Sequence, residues 1–489
     1  MPKITDATAF ASARRLARRI RQGKFGSRDL LEHYLERIER WNPAVNAVVH
    51  IDAGRARLAA DRADQEAREG RYRGQLHGLP ITVKDAIDVA DMCSTWGLPE
   101  RVGIVATQDA EVVRRVRAAG AVVFGKTNVP TGLADWQTDN PIFGRCNNPH
   151  ALDRSPGGSS GGAAAAVAAG FTAFEIGSDI GGSIRNPAHY CGVCGLKPSY
   201  GIVPQDGHGT VRSHPAQDLN VLGPLSRHAE DLDLLLGIIA GPTAGERMAW
   251  QLSLPSPRLS SLDGMRAAIL PRYVGPLVDE AIDAAIAHLG GTLQRYGAFL
   301  ATGAAPAINF DEVHALYLSL LRGATSVGLS DQAFEAALVR ARGYEADDKG
   351  YRALSDRGVA RSHRDWLRLG ASRHAVAAAW ARFFEDFDCL LCPVAATPAF
   401  PHDLERPREE RLIDVNGTPQ DYNAQLFWAG LASVPGLPAA VVPIGRDAEG
   451  RPIGMQIIGP LYSDRSVARI ARLIEEKTRA FEPPNLSNG

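Results

Sequence analysis

The sequence predicts an α/β fold: a single large domain with an extended mixed β-sheet covered by helices, interrupted by a helical insertion. Three observations carry that reading. Short apolar strand-like runs alternate with helical segments through the first half of the chain. An alanine-rich run over residues 163–169 is apolar on every side, which makes it a buried helix. After a long helical stretch, apolar strand-like runs return near the C-terminus.

Residues 5–70 read as helical: Leu30, Leu31, Tyr34 and Ile38 keep a helical period, Ser27 is the N-cap, and Asn42 with Pro43 ends the segment. Residues 78–84 form a short apolar strand ending in Lys84. A helix over 107–119 closes at Gly120 and is followed by a strand over 121–124. The buried helix of 163–169 leads to a strand over 171–176 and then to a turn from Asp179 to Gly182. Residues 254–386 carry long helical segments rich in Ala, Arg and Leu. Strands over 389–394, 439–443 and 454–459 and a closing helix over 463–477 return the chain to the sheet. The expected division is a helical segment 1–75, a core 76–250, a helical insertion 251–386 that covers the site, and a C-terminal return 387–489.

Composition excludes several classes. With 489 residues, 45% hydrophobic and 22% charged, the chain is long enough to bury a large core. A net charge of −1 argues against a nucleic-acid partner. The longest apolar run, 163–174, is too short to span a bilayer. The N-terminus lacks the apolar centre of a secretion signal, and Arg14, Arg15, Arg18, Arg19 and Arg21 read as a solvated helix face rather than a transit peptide. A cytoplasmic location is expected. Six cysteines make no disulfide framework in a chain of this length. Cys191 with Cys194 and Cys389 with Cys392 read as buried thiols rather than zinc ligands.

Chemistry concentrates in two glycine-framed serines. The run Gly157-Gly-Ser-Ser-Gly161 fits the G-x-S-x-G pattern of a nucleophile elbow, yet residues 147–156 before it read as loop rather than strand. Ser159 is therefore equally read as part of a small-residue turn before the next helix. Ser183 is the better nucleophile. It follows Gly181-Gly182 at a strand end, where the backbone N–H groups of Ile180, Gly181, Gly182 and Ser183 can face one concavity. Such a cradle stabilises an oxyanion by about 3 kcal/mol per donor. A serine needs a base, and none of the thirteen histidines stands in a triad context. Lys84 is the alternative. An unperturbed lysine is neutral in about one molecule in two thousand at pH 7, and burial raises that fraction.

Lys84, Gly157-Gly-Ser-Ser-Gly-Gly162, Asp179-Ile-Gly-Gly-Ser-Ile-Arg185 and Cys191-Gly-Val-Cys-Gly-Leu-Lys-Pro198 together resemble the amidase signature family. The resemblance is strongest over residues 76–204 and covers most of the chain apart from the middle insertion. It implies the amidase signature fold and a Ser–cis-Ser–Lys triad. Ser183 would be the nucleophile, Ser159 a bridging serine on a non-proline cis peptide, and Lys84 the base. Ile180, Gly181, Gly182 and Ser183 would form the oxyanion hole. The implied reaction is amide hydrolysis through an acyl-Ser183 intermediate, with no metal or organic cofactor. The partners implied are a small-molecule amide and water, without nucleic acid or a membrane span, and a homodimer is admissible.

In related hydrolases the segment after Asn128-Val-Pro130 borders the acyl pocket, which places Leu133, Ala134 and Trp136 beside the substrate, with Ser159. Leu133 and Trp136 read equally as core. Phe310, His314 and Tyr317 share a helical face and Trp428 adds a further aromatic; both sets also read as core. Together these residues favour a neutral, hydrophobic or aryl amide. The runner-up reading is the glutamine-hydrolysing component of a tRNA-dependent amidotransferase, which needs a grip on the glutamine α-amino group and a second protein as partner. A glycine-rich anion- or nucleotide-binding protein is a third reading, opposed by the lack of a G-K-[ST] sequence after the first loop.

Overall fold

Two sheets meet beneath the serine-rich segment. The computed structural model describes residues 4–210, 216–272, 277–478 and 481–486. Strands β1 (Val48–Ile51), β2 (Pro80–Lys84) and β3 (Val122–Thr127) form a three-stranded sheet in the order β1-β3-β2. There β2 and β3 run parallel and β1 antiparallel.

The larger sheet uses β4 (Glu175–Asp179), β5 (Cys194–Lys197), β6 (Val221–Ser226), β7 (Arg266–Ile269), β8 (Phe299–Thr302) and β9 (Cys389–Pro393). After a separate hairpin of β10 (Leu412–Val415) and β11 (Thr418–Asp421), it is completed by β12 (Ala439–Arg446) and β13 (Pro452–Ile458). Its order is β4-β6-β5-β12-β13-β9-β7-β8, antiparallel from β4 to β9 and parallel from β9 to β8. Strand β2 packs against β4, which brings the end of the small sheet to the edge of the large one. The expected α/β architecture with an extended mixed sheet is present. The stretch 251–386 is mainly helical and also supplies β7 and β8.

Several boundaries differ from the sequence reading, each for a local reason. Ser27 lies inside its helix, Ser27–Val45, because the Asp64 carboxylate of a neighbouring helix accepts from Ser27 N (2.6 Å) and Arg28 N (3.0 Å) and does the capping. Pro43 does not end that helix. The chain turns at Asn46, in the left-handed region (φ 53°), and the Asn42 side chain accepts from Ala47 N and Val48 N to lead into β1. The helix expected over 107–119 spans Glu111–Ala118, since the preceding N–H groups of Ala110 and Glu111 donate to the loop carbonyls of Asp88 and Asp206. The strand expected over 171–176 is β4, beginning at Glu175. Residues before it are tied by side chains, with Thr172 Oγ1 accepting from Thr82 N at 2.9 Å.

The Gly161–Ala168 helix is buried along its whole length. Its small side chains let it pack against β2, β4 and β6 at once. At its C-terminal end the buried Arg227 donates to six backbone carbonyls: Ala9, Phe10, Ala11, Val167, Thr172 and Ala173, at 2.7–3.3 Å. One guanidinium thus ties the N-terminal segment, the helix end and the approach to β4. Among the described residues no helix is long and apolar enough to cross a membrane. Replacing Arg227 with Met strands several buried carbonyls, and unfolding is expected to become easier by about 3 kcal/mol or more. A calorimetric scan checks this; an unchanged Tm would show that the clamp is dispensable.

Candidate active site

Lys84 ends β2 with no solvent exposure. Its Nζ lies 2.7 Å from Ser159 Oγ, 3.0 Å from Ser160 Oγ and 2.9 Å from Ser178 Oγ. Burial pushes this amine down from its usual 10.5 to about 7, against the opposing pull of Asp179, Glu175 and Asp85. The chemistry of the partners matters as much as the burial. Lys126 and Lys197, also buried, donate mainly to backbone carbonyls, which can only accept. Hydroxyls can also donate, so the surroundings of Lys84 suit a neutral amine. Ser160 Oγ donates to Ser178 O (3.2 Å), which leaves Ser159 and Ser178 with protons free to face the amine.

Ser159 follows Gly158 across a cis peptide bond and precedes the buried Gly161–Ala168 helix. The loop before it is irregular, as the sequence indicated, so the strand-to-helix elbow is not formed here. Ser183 sits between β4 and the Arg185–Cys191 helix, and its carbonyl accepts from Ser160 N at 3.1 Å. Ser159, Ser178 and Ser183 all line one pocket of about 310 Å³, and Lys84 lies behind them rather than on its wall.

The turn from Asp179 to Ser183 is built around a carboxylate. Asp179 Oδ1 accepts from Gly182 N at 3.0 Å, and Oδ2 accepts from Ile184 N at 3.1 Å. Arg185 grips the same carboxylate through Nε at 3.0 Å and Nη2 at 2.8 Å. Burial alone would raise the Asp179 pKa; Arg185 outweighs it and holds the group at about 2. Gly182 takes φ +87°, a conformation that residues with a Cβ rarely adopt. The carbonyls of the turn are pinned from outside: Trp136 Nε1 donates to Gly181 O and Tyr317 Oη to Ile180 O, both at 3.0 Å. The N–H groups of Ile180, Gly181 and Ser183 have no protein acceptor among the described residues, whereas that of Gly182 is committed to Asp179.

Leu133, Ala134 and Trp136 line the same pocket. Trp136 is also core, 4% exposed, and serves the turn through its indole N–H. Tyr317 is fully buried and acts on the turn rather than on the pocket wall. Phe310 and His314 pack beside Phe427, and Trp428 is buried in the core. Sequence reasoning missed Ser178, the Asp179–Arg185 pair, His208, Arg322 and Arg408. His208 lines the pocket and is held neutral by burial and the adjacent Lys84, its pKa pushed down to about 3. Asp85 accepts from Thr95 N, Thr95 Oγ1 and Trp96 N and so fixes Trp96, another part of the wall. Cys191 and Cys392 each bond locally, to Pro156 O and to the Gln456 side chain.

Comparison with known proteins gives this geometry a context. The sequence model of the family described as Amidase matches residues 29–468. An indoleacetamide hydrolase of Bradyrhizobium diazoefficiens is 32% identical over 467 residues, covering 94% of this chain and 84% of the relative. A glutamyl-tRNA(Gln) amidotransferase component from an Anaeromyxobacter species is 32% identical over 484 residues, covering 94% of each. A crystal structure of an amidase superposes with a TM-score of 0.76 at 28% identity, covering 96% of this chain and 100% of that one. The chain belongs to the amidase family, and with it to the enzymes that hydrolyse amides.

Proposed function

We propose that the protein hydrolyses a compact carboxylic acid amide through an acyl-Ser183 intermediate, with Lys84 as a neutral base acting through Ser159. The observation that carries this reading is the buried Lys84 amine, bonded among the described residues to serine hydroxyls alone, behind a pocket that Ser159 and Ser183 line. A neutral amine has two N–H donors and one lone pair. Ser160 and Ser178 accept the donors, and the lone pair accepts the Ser159 proton. Ser159 then accepts the proton of Ser183 as the Ser183 oxygen bonds to the amide carbon. The negative charge that develops on the carbonyl oxygen is met by the free N–H groups of Ile180, Gly181 and Ser183. The Gly182 N–H, read from the sequence as a further donor of this cradle, is bonded to Asp179 Oδ1 at 3.0 Å. The proton returns through Ser159 to the leaving nitrogen as the C–N bond breaks. Water then repeats the sequence on the acyl-enzyme, releasing the acid and restoring Ser183.

The pocket wall includes the apolar side chains of Trp96, Leu98, Leu133, Trp136 and Leu426. A volume of about 310 Å³ lies at the small end of ligand pockets. Both features support a small amide with an alkyl or aryl acyl group, covered by the helical stretch that contributes Leu321 and Thr325. The name of the indoleacetamide hydrolase relative agrees with an aryl amide. The amidotransferase relative keeps the glutaminase reading in view. A glutamine α-ammonium calls for a free carboxylate, however. Asp135, the acid on this wall, is engaged by Arg411, by Tyr422 Oη at 2.6 Å and by Trp136 N at 2.7 Å. A panel of anilides, aliphatic amides, carbamates and glutamine separates the two. Turnover of hydrophobic amides by the isolated chain supports the proposal, and glutamine hydrolysis that requires a partner protein would replace it.

Removing the Ser183 hydroxyl in Ser183→Ala is expected to lower kcat by on the order of 10⁵-fold with an unchanged circular dichroism spectrum. A sulfonyl fluoride should label Ser183; labelling confined to Ser159 would contradict the assignment.

Because the base works deprotonated, kcat/KM should rise about tenfold per pH unit below about 7 and level off above it. Lys84→Arg should be nearly inactive throughout, since guanidinium keeps its proton. A flat profile, or substantial activity in the Arg variant, would rule out the base role.

Tyr317→Phe deletes the bond that pins the Ile180 carbonyl. The expected loss is about tenfold in kcat with little change in KM, the scale of one misaligned hydrogen bond. A rise in KM at constant kcat would instead make Tyr317 a contributor to ground-state binding.

A further inference from the structure

The charged residues on the pocket wall do not balance. Asp135 contributes one negative charge, and that charge is neutralised by its ion pair with Arg411. Two further guanidiniums stand on the same wall: Arg322, from the Phe310–Thr325 helix, and Arg408, from the turn before β10. Neither forms an ion pair with a carboxylate among the described residues. Arg322 donates through Nη2 to Tyr351 Oη, and its Nε is buried with no acceptor among the described residues. Arg408 donates to Asn423 Oδ1 (2.8 Å) and to the Ala134 carbonyl, both neutral groups. The Tyr351 ring lies within 5.4 Å of the Arg322 guanidinium and 5.9 Å of that of Arg408, so one phenol serves two cations.

Two partly exposed guanidiniums that line one small cavity, with no carboxylate bonded to either among the described residues, make its wall attractive to an anion. Arginine also presents a planar fork of donors that fits a carboxylate closely. Most other arginines near this face have settled such partners: Arg411 pairs with Asp135, Arg373 with Asp218 and Arg340 with Asp356.

We propose that Arg322 and Arg408 form an anion subsite in the substrate pocket, and that the amide hydrolysed here carries a carboxylate remote from the scissile carbonyl. This rests on the amidase reading of Ser183 and Lys84 and deepens it by naming the substrate class. Arg408 is bonded to Ala134, on the wall assigned to the acyl group, so the carboxylate belongs on the acyl side. The substrate is then a monoamide of a short dicarboxylic acid, with the apolar middle of the chain against Leu133 and Leu426.

The test compares kcat/KM for such a monoamide with that for the unsubstituted alkanoic amide of equal chain length, at low and high ionic strength. The comparison uses the intact wild-type enzyme and the Arg322→Gln and Arg408→Gln variants. The expected result is a wild-type preference for the anionic amide that weakens with salt and falls by about ten- to a hundredfold in each variant. A measurement that needs no variant supports the same point: a short dicarboxylate should inhibit the wild-type enzyme more strongly than its monomethyl ester. Equal turnover of the two amides in the wild type, or a preference that survives both substitutions, would overturn the subsite while leaving amide hydrolysis in place. Hydrolysis of neither these amides nor any in the wider panel would overturn the amidase assignment of Ser183 and Lys84 itself.

Discussion

Burial of the Lys84 amine strips away the hydration that keeps a lysine protonated, and the local architecture is arranged around that loss. Desolvation drives its pKa down towards 7, and three hydroxyls replace the missing water. To seal the amine, β2 must end against β4 and the first turn of the buried Gly161–Ala168 helix. That packing in turn needs the small residues of the helix and the Arg227 clamp at its far end. The glycines and serines of this segment are thus a packing requirement as well as a chemical one.

A second constraint protects the first. Three buried carboxyl groups, Asp179, Glu175 and Asp85, pull the Lys84 pKa upward. Each is restrained. Arg185 neutralises Asp179 in a pair with almost no solvent exposure. Burial raises Glu175 to about 7, so it carries only part of a charge near neutral pH. Asp85 lies beside Lys126 and accepts three hydrogen bonds from Thr95 and Trp96. The same Asp179–Arg185 pair shapes the turn that carries Ser183, so the position of Ser183 and the protonation of Lys84 depend on one ion pair. Trp136 and Tyr317 complete the turn by fixing its carbonyls from the outside, and the N–H groups of Ile180, Gly181 and Ser183 have no protein acceptor among the described residues.

Much of this could be read in the sequence, because the features involved are local. The strand ending in Lys84, the buried alanine-rich helix, the turn after Asp179 and the strands β9, β12 and β13 all announce themselves by apolar patterning and glycine. What escaped was set by contacts between distant residues. Strand β6 contains Gly223 and Pro224, poor strand formers, and is a strand because β4 and β5 flank it. Strand β8 is partly exposed and four residues long, too short for a periodic signal. Ser27 looked like a cap because nothing in its neighbourhood reveals that Asp64 arrives from another helix. At the site, Asp179 and Arg185 lay within the recognised motif and Ser178 just before it, but their bonds to one another and to Lys84 are not visible in its spacing. Arg322 and Arg408 belong to no motif, and only the folded chain shows that they share a cavity with Ser183 and have no carboxylate partner among the described residues. Tyr317 was read from helical spacing as pocket or core; its hydroxyl in fact serves a backbone carbonyl far away in sequence.

The central claim is that Lys84 is neutral in the folded protein under working conditions, and it can be tested without any substrate. Selective isotopic labelling of lysine, with Lys84→Met to assign the resonance, allows the Nζ group to be titrated directly by NMR in the native protein. The account predicts a midpoint near pH 7, with a chemical shift that moves to that of a free amine above it. A midpoint close to the usual lysine value of about 10.4 would contradict it, because the amine would then remain a cation throughout the range in which the enzyme works.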